Sequence, residues 1–279
     1  MGHRGAKALA PENTLASLKA AAAAGVTWVE FDVMLTGDGE PVLFHDETLQ
    51  RTTGAAGEMA QTPLSKVREL DATRHFTQKY SKRAGKRFRG QPDCRVPTLE
   101  ETVACLLDLD LVPNVEIKST RGLAVETAEV ALTRMLDLWP ADRPLPLVSS
   151  FERESLAAAQ RVAPQWPRGL IAEDFPTDWC TALAELDCVS FHLYWRRTRA
   201  ADVAAVKAAG YAFAVYTVNG VRAGRRLLDK GVDCLITDRP DLLVSFDEIN
   251  ALVGYEQLTE MEERYTAPDD RAKSAASAD

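Results

Sequence analysis

The chain has 279 residues, 46% of them hydrophobic, with 41 acidic against 33 basic residues and a formal net charge of −8. That is enough apolar material for one large core of the size of a single α/β barrel. The acidic balance argues against a nucleic-acid-binding role, which needs a basic face, and no apolar run reaches the roughly 18 to 20 residues that a membrane span requires.

Only Met1 and Gly2 precede His3, which leaves room for little more than a trace of a first strand. Thr14 to Ala24 then reads as a helix, with Leu15, Leu18 and Ala22 at helical spacing, Asn13 as a possible cap and Gly25 at its end. A strand centred on Trp28 to Val33 follows. The segment from Gly54 to Pro97 is too long for an ordinary connection and is expected to form an insertion with its own structure, over the barrel mouth. Beyond it come strands at Val112 to Ile117, Leu145 to Ser150, Gly169 to Ala172, Cys188 to His192, Ala212 to Thr217 and Cys234 to Thr237. Between them lie helix patterns at Leu99 to Asp108, Leu123 to Leu138, Glu154 to Val162, Ala201 to Ala209 and Val221 to Lys230. Seven strands and the trace of an eighth, alternating with helices, make a (β/α)8 barrel with an insertion after the second barrel strand. The barrel domain is expected over 1–255. A tail follows over 256–279, without apolar periodicity and expected to be disordered from about Thr266.

Glu30 and Asp32 are two apart on a strand and share a face, which at the C-terminal end of a barrel strand is the mouth. Two carboxylates there repel each other, and a hard cation such as Mg²⁺ or Ca²⁺ relieves the repulsion. Glu116 ends the next barrel strand and offers a third oxygen ligand, with Lys118 on the same face. Each pair taken alone also reads as a solvated strand end. His3 and His45 are half of the four histidines, each at the start of a loop, and imidazole suits proton transfer near neutral pH. Arg4 and Lys118 supply the fixed cations that a phosphoryl oxygen needs, although Arg4 could instead pair with Glu12 or Glu116 to hold the site together. The five cysteines, Cys94, Cys105, Cys180, Cys188 and Cys234, are odd in number and lack CxxC spacing. They are expected to be reduced and mostly packed, in a cytoplasmic protein.

The ordered motifs HRG (from His3), PENT (Pro11 to Thr14), EFD (from Glu30), HD (His45-Asp46), PTLEE (Pro97 to Glu101), EIK (from Glu116), SSF (Ser149 to Phe151), YTVN (Tyr216 to Asn219) and ITDRPD (Ile236 to Asp241) closely resemble bacterial glycerophosphodiester phosphodiesterases from His3 to about Leu243. The resemblance implies a metal-dependent barrel enzyme that releases sn-glycerol 3-phosphate and an alcohol from deacylated phospholipids. It implies Glu30, Asp32 and Glu116 as ligands of one Mg²⁺ or Ca²⁺ ion and Arg4 and Lys118 as phosphate contacts. His3 and His45 become the acid and base of a route through a cyclic phosphate, with their parts left open between them. Phe151 and Tyr216 become an apolar wall for the glycerol or the leaving alcohol. Members usually carry several β-forming residues before HRG, so a version extended upstream is expected to be more stable.

Weaker signals remain. His192 alternates with Cys188 and Ser190 on one strand face and could reach substrate, against the commoner reading of a packed histidine. Trp195, Arg196, Arg197 and Arg199 read as a solvated loop or as contacts to an anionic head group. Within the insertion, Lys79, Lys82, Arg83, Lys86, Arg87 and Arg89 gather around Tyr80 and Phe88, either a plain solvated face or a patch for an anionic substrate or membrane surface. Two other functions compete: a phospholipase of the same fold, which would need an apolar rim at the mouth, and a silent barrel serving as a binding module, which would have lost a histidine or a carboxylate. The sequence leaves the leaving alcohol and the oligomeric state open.

Overall fold

The computed structural model describes residues 1–243 except 119 and 121. Helix α1 (Leu15–Ala23) is followed by β1 (Trp28–Leu35), β2 (Pro41–Leu43) and three short helices, α2 (Leu64–Val67), α3 (Thr73–Lys79) and α4 (Lys82–Phe88). Then come α5 (Leu99–Asp108), β3 (Val112–Ile117), α6 (Ala124–Leu138), β4 (Leu147–Ser150), α7 (Arg153–Val162) and β5 (Arg168–Ala172). The remaining elements are α8 (Trp179–Glu185), β6 (Ser190–Tyr194), α9 (Ala200–Ala208), β7 (Ala212–Tyr216), α10 (Val221–Asp229), β8 (Cys234–Leu235) and α11 (Pro240–Leu243).

The sheet runs β2-β1-β3-β4-β5-β6-β7-β8, parallel throughout except that β2 folds back antiparallel on β1. Closure falls to Gly2, which bridges Val29 on one side and Thr237 on the other. Its N–H donates to the Trp28 carbonyl at 3.0 Å and its carbonyl accepts from the Glu30 N–H at 2.7 Å, while the His3 N–H donates to Thr237 at 2.8 Å. The eighth strand of the (β/α)8 barrel is therefore a single bridged residue, in keeping with the trace expected before His3.

Outward-facing strand residues meet the helices in two buried clusters. Phe31, Val33, Val115 and Val148 pack under α1, α5, α6 and α7, and Leu170, Phe191, Leu193, Phe213 and Val215 pack under α8, α9 and α10. Along each strand the side chains between these point into the barrel. They include Asn114, Ser149, Ser190 and His192, with Gly169 between them, where an added Cβ would lie 2.7 Å from His192 Nε2. A cavity of about 660 Å³ opens at the N-terminal ends of the strands, lined among others by Trp28, Leu147, Val189, Ser190, His192 and Phe213. It is at the end opposite the mouth.

The insertion has a small core of its own, formed by Met59, Val67 and Val96 with Met34, Val42, Phe44 and Leu49 of the β1–β2 hairpin region. Outside the insertion, three elements have no counterpart in the sequence reading: the three-residue β2, the seven-residue α8 and the four-residue α11. Strand β6 begins at Ser190 rather than Cys188, and β8 ends at Leu235. Cys94, Cys105 and Cys188 are buried, Cys234 is half-buried, Cys180 is exposed, and all five are free thiols. Among the described residues no helix is long and apolar enough to cross a membrane. The tail expected over 256–279 lies outside the described residues.

Candidate active site

The loop from His3 to Thr14 is built to carry the site. Gly5 adopts φ +80°, and a Cβ there would lie 2.6 Å from the Ser17 carbonyl carbon, so α1 packs directly against a bare backbone. That close approach lets the Gly5 N–H donate to the Glu30 carbonyl at 3.0 Å, and the Arg4 N–H donates to Glu30 Oε2 at 2.7 Å. Each polar residue of the PENT motif then has a distinct partner. Thr14 caps α1 in a reciprocal capping box with Ser17, and Asn13 Nδ2 donates to Asp32 Oδ2 at 2.7 Å. Glu12, almost fully buried, accepts from Arg4 Nη1 at 2.6 Å and from both terminal nitrogens of Arg51 at 2.7 and 2.8 Å, and lies 2.9 Å from His75 Nδ1.

Asp32 and Glu116 are register partners across β1 and β3, with Glu30 two residues before Asp32. Ligand atoms of the three carboxylates lie within 4.8 Å of one another, and all three residues are buried. Burial pushes the Glu30 carboxyl well above its usual range, and Asp32 and Glu116 add to the rise. Burial and the Asp32 charge push Glu116 up to about 7. For Asp32 the burial penalty is outweighed by Arg4 first, then by His45 and Lys118, and its carboxyl is held below the usual range. Glu30 Oε1 is buried without a hydrogen-bond partner among the described residues. Three buried oxygen donors, one of them orphaned, suit a hard divalent cation.

Both histidines are oriented the same way. His3 Nδ1 lies 2.6 Å from Asp238 Oδ1, and His45 Nδ1 lies 2.7 Å from Asp46 Oδ1. Asp238 is itself fixed, accepting from Asn219 Nδ2 at 2.9 Å and from the Tyr80 hydroxyl at 3.3 Å. Asp46 accepts the Arg51 fork, with Nε at 2.5 Å and Nη2 at 3.0 Å. A carboxylate at Nδ1 leaves Nε2 as the nitrogen available to a reactant, and His3 Nε2 lies 3.9 Å from Glu30 Oε2. Burial lowers His3 to about 4 even though Asp238 works the other way. Burial also lowers His45, against the pull of Asp32 and Asp46.

The sequence of the chain from residue 3 to 242 matches the model of the glycerophosphoryl diester phosphodiesterase family. The chain belongs to that family. It is 32% identical over 246 residues to a glycerophosphodiester phosphodiesterase of Caldanaerobacter subterraneus subsp. tengcongensis, covering 88% of this chain and 96% of that one. A second glycerophosphodiester phosphodiesterase, from Bacillus subtilis, is 30% identical over 249 residues, with 87% and 84% covered. Among solved structures, an Oleispira antarctica phosphodiesterase in complex with the product sn-glycerol-3-phosphate is 35% identical with a TM-score of 0.81, covering 88% of this chain and 95% of that one.

Of the residues singled out from sequence in this phosphodiesterase-family chain, His3, Arg4, Glu30, Asp32, His45, Glu116 and Lys118 fall within one electrostatic neighbourhood at the mouth. The Arg4 side chain pairs with Glu12, one of the partners weighed for it from sequence, and its Nε lies 3.2 Å from Asp32. Lys118 Nζ is 3.5 Å from Glu116 and 5.3 Å from the centre of the Phe151 ring, which meets Tyr216 edge-on at 5.9 Å, so the aromatic pair borders the site. His192 is not brought there. It is buried inside the barrel, bonds Ser190 Oγ at 2.9 Å, lines the cavity at the opposite end, and is lowered to about 4 by burial alone. Arg197 pairs with Asp174, Arg199 with Asp202, and Arg196 stacks on Trp195, which fits the solvated-loop reading.

Sequence reasoning missed the residues that orient the histidines: Asp46, Asp238, Asn219, Arg51 and Tyr80. Three of them sat inside quoted motifs, HD, ITDRPD and YTVN. An acid beside or far from a histidine in sequence carries no periodic signal, and only the fold brings Asp238 across 235 positions to His3.

Proposed function

We propose that this enzyme hydrolyses glycerophosphodiesters to sn-glycerol 3-phosphate and an alcohol. The observation that carries the reading is the pairing of a buried three-carboxylate cluster with two imidazoles, each held at Nδ1 by its own aspartate. Glu30, Asp32 and Glu116 would hold one Mg²⁺ or Ca²⁺ ion, which when bound neutralises phosphate charge and acidifies a substrate hydroxyl. Lys118 and the Arg4 side chain place positive charge beside the phosphate and favour the charge that builds up on its oxygens. His3, neutral at pH 7, accepts through Nε2 the proton of the glycerol 2-hydroxyl as that oxygen attacks phosphorus. His45 donates through Nε2 to the departing alkoxide, with Asp46 stabilising the imidazolium before transfer. The cyclic phosphate that results is opened by water with the two roles exchanged. Phe151 and Tyr216 offer a wall for the uncharged part of the substrate.

The test measures glycerol 3-phosphate release from a panel of glycerophosphodiesters, with and without EDTA, for the wild type and for His45→Ala. Release is expected from at least one diester, abolished by EDTA and reduced about 10²- to 10⁴-fold in the variant. Turnover that ignores EDTA, or a fully active His45→Ala protein, would overturn the mechanism.

A further inference from the structure

The cations of this acidic protein are distributed unevenly. Over the barrel, several exposed bases sit beside acids: Arg153 with Asp178, Arg161 with Glu129, Arg197 with Asp174 and Lys207 with Asp233. The α3–α4 part of the insertion breaks that pattern, although Lys66 and Arg68 just before it are paired. Lys79, Lys82, Arg83, Lys86, Arg87 and Arg89 are all exposed, and none has a carboxylate partner within 4.0 Å among the described residues. Their arrangement follows from how α3 and α4 pack. Gly85 sits so close to α3 that a Cβ there would be 2.1 Å from Thr77 Oγ1, and Phe88 meets Phe76 edge-on at 5.4 Å. With Gly85 and Phe88 turned inward, the basic residues of α4 are left on its outer side.

The patch is also joined to the mouth. Lys79 Nζ lies 5.9 Å from the centre of the Tyr80 ring, and the Tyr80 hydroxyl donates to Asp238, the residue that holds His3. His75, one turn earlier on α3, pairs with Glu12 behind Arg4.

We propose that the outer face of α3 and α4 is a docking surface for an anionic phospholipid membrane, which brings the barrel mouth to the lipid–water boundary. Six unpaired cations over eleven residues would be attracted to a negative surface although the protein as a whole carries −8. The association is electrostatic and peripheral, since the face presents no large apolar side chain for insertion: Phe88 is half-buried against Phe76. A lipid surface is favoured over a nucleic acid because the cations are confined to one short helix pair on an acidic body, too small a stripe to track a polynucleotide backbone.

The experiment is flotation of the full chain with vesicles of phosphatidylcholine alone or with about one third phosphatidylglycerol, at low and at physiological salt. The wild type is expected to float with the anionic vesicles at low salt, less at physiological salt, and not with the neutral ones. Replacing Lys82, Arg83, Lys86 and Arg87 together with serine should weaken vesicle affinity at least about 100-fold, with turnover of a soluble diester in the absence of vesicles unchanged. If that variant melts early, the pair Lys86→Glu and Arg87→Glu gives the same readout with two changes. Wild type that stays with the neutral-vesicle baseline, a folded variant that floats as well as the wild type, or displacement from vesicles by a small excess of RNA would overturn the proposal. No substrate enters the flotation, so its outcome is separate from that of the hydrolysis assay.

Discussion

At the residue scale, the carboxylates behind the imidazoles set which nitrogen faces the substrate. Asp238 accepts from or opposes His3 Nδ1 at 2.6 Å, and an amide in its place would offer that ring a donor as readily as an acceptor. Asp238→Asn should therefore populate the wrong tautomer and lower kcat by about 10²- to 10⁴-fold with little change in KM. Nitrogen-15 NMR of His3 should show the proton on Nδ1 in the wild type and its partial loss in the variant. An unchanged tautomer beside a normal kcat would refute the positioning role. The residues that the structure gathers at the mouth were legible before any fold was known, because His3, Glu30, Asp32, His45, Glu116 and Lys118 occupy strand ends and loop starts where polar groups have few structural reasons to be. Most of their supports were not legible. Glu12 was weighed only as a partner of Arg4 and Asn13 only as a helix cap; Asp46, Arg51 and Asp238 resemble ordinary surface polar residues until the chain closes around them, while His192 takes the packed reading, buried on an inward strand face.

At the scale of elements, the barrel strands and most helices follow from alternation and helical periodicity, because parallel strands buried on both faces read as short apolar runs. Strand β2 escaped because three residues show no period, and α8 because seven residues with a weak apolar stripe resemble a loop. The element most exposed to a single change is the His3 to Thr14 loop. Alanine at Gly5 would face both a left-handed φ of +80° and backbone atoms of Ser17 at 2.6 and 2.7 Å, and α1 cannot retreat without uncoupling the Thr14 cap. Gly5→Ala is expected to cost about 2 to 4 kcal/mol of stability. It should also reduce turnover, since the same loop aims the Arg4 N–H at Glu30 and Asn13 at Asp32. Urea unfolding with an unchanged slope and a lower midpoint is the signature; a midpoint equal to the wild type would show that the loop has slack the packing does not suggest.

For the whole molecule, the site and the fold are linked through protons, and the signs of the contributions differ. His192, folded value about 4 against an ordinary 6.5, is protonated in the unfolded chain and neutral in the folded one between those values, so its share of stability grows as pH rises through that window. Glu116 does the opposite. Its folded value of about 7 lies above the unfolded 4.5, so the folded protein holds the extra proton, and the stability it contributes is present below pH 4.5 and lost as pH rises through 7. Glu30, also raised, acts in the same direction. A pH scan of the protein alone sums these terms and identifies neither. The difference between scans with EDTA and with Mg²⁺ isolates the carboxylates, because a bound cation replaces the proton as the partner of Glu30 and Glu116 and leaves His192 inside the barrel untouched. The cation should therefore raise the thermal midpoint little at pH 5 and increasingly towards pH 8, by about 4 °C or more once it exceeds its dissociation constant about 100-fold. Glu30→Gln should reduce that gain across the range. A midpoint shift independent of pH, or one that survives in Glu30→Gln, would place the stabilising ion somewhere other than between β1 and β3.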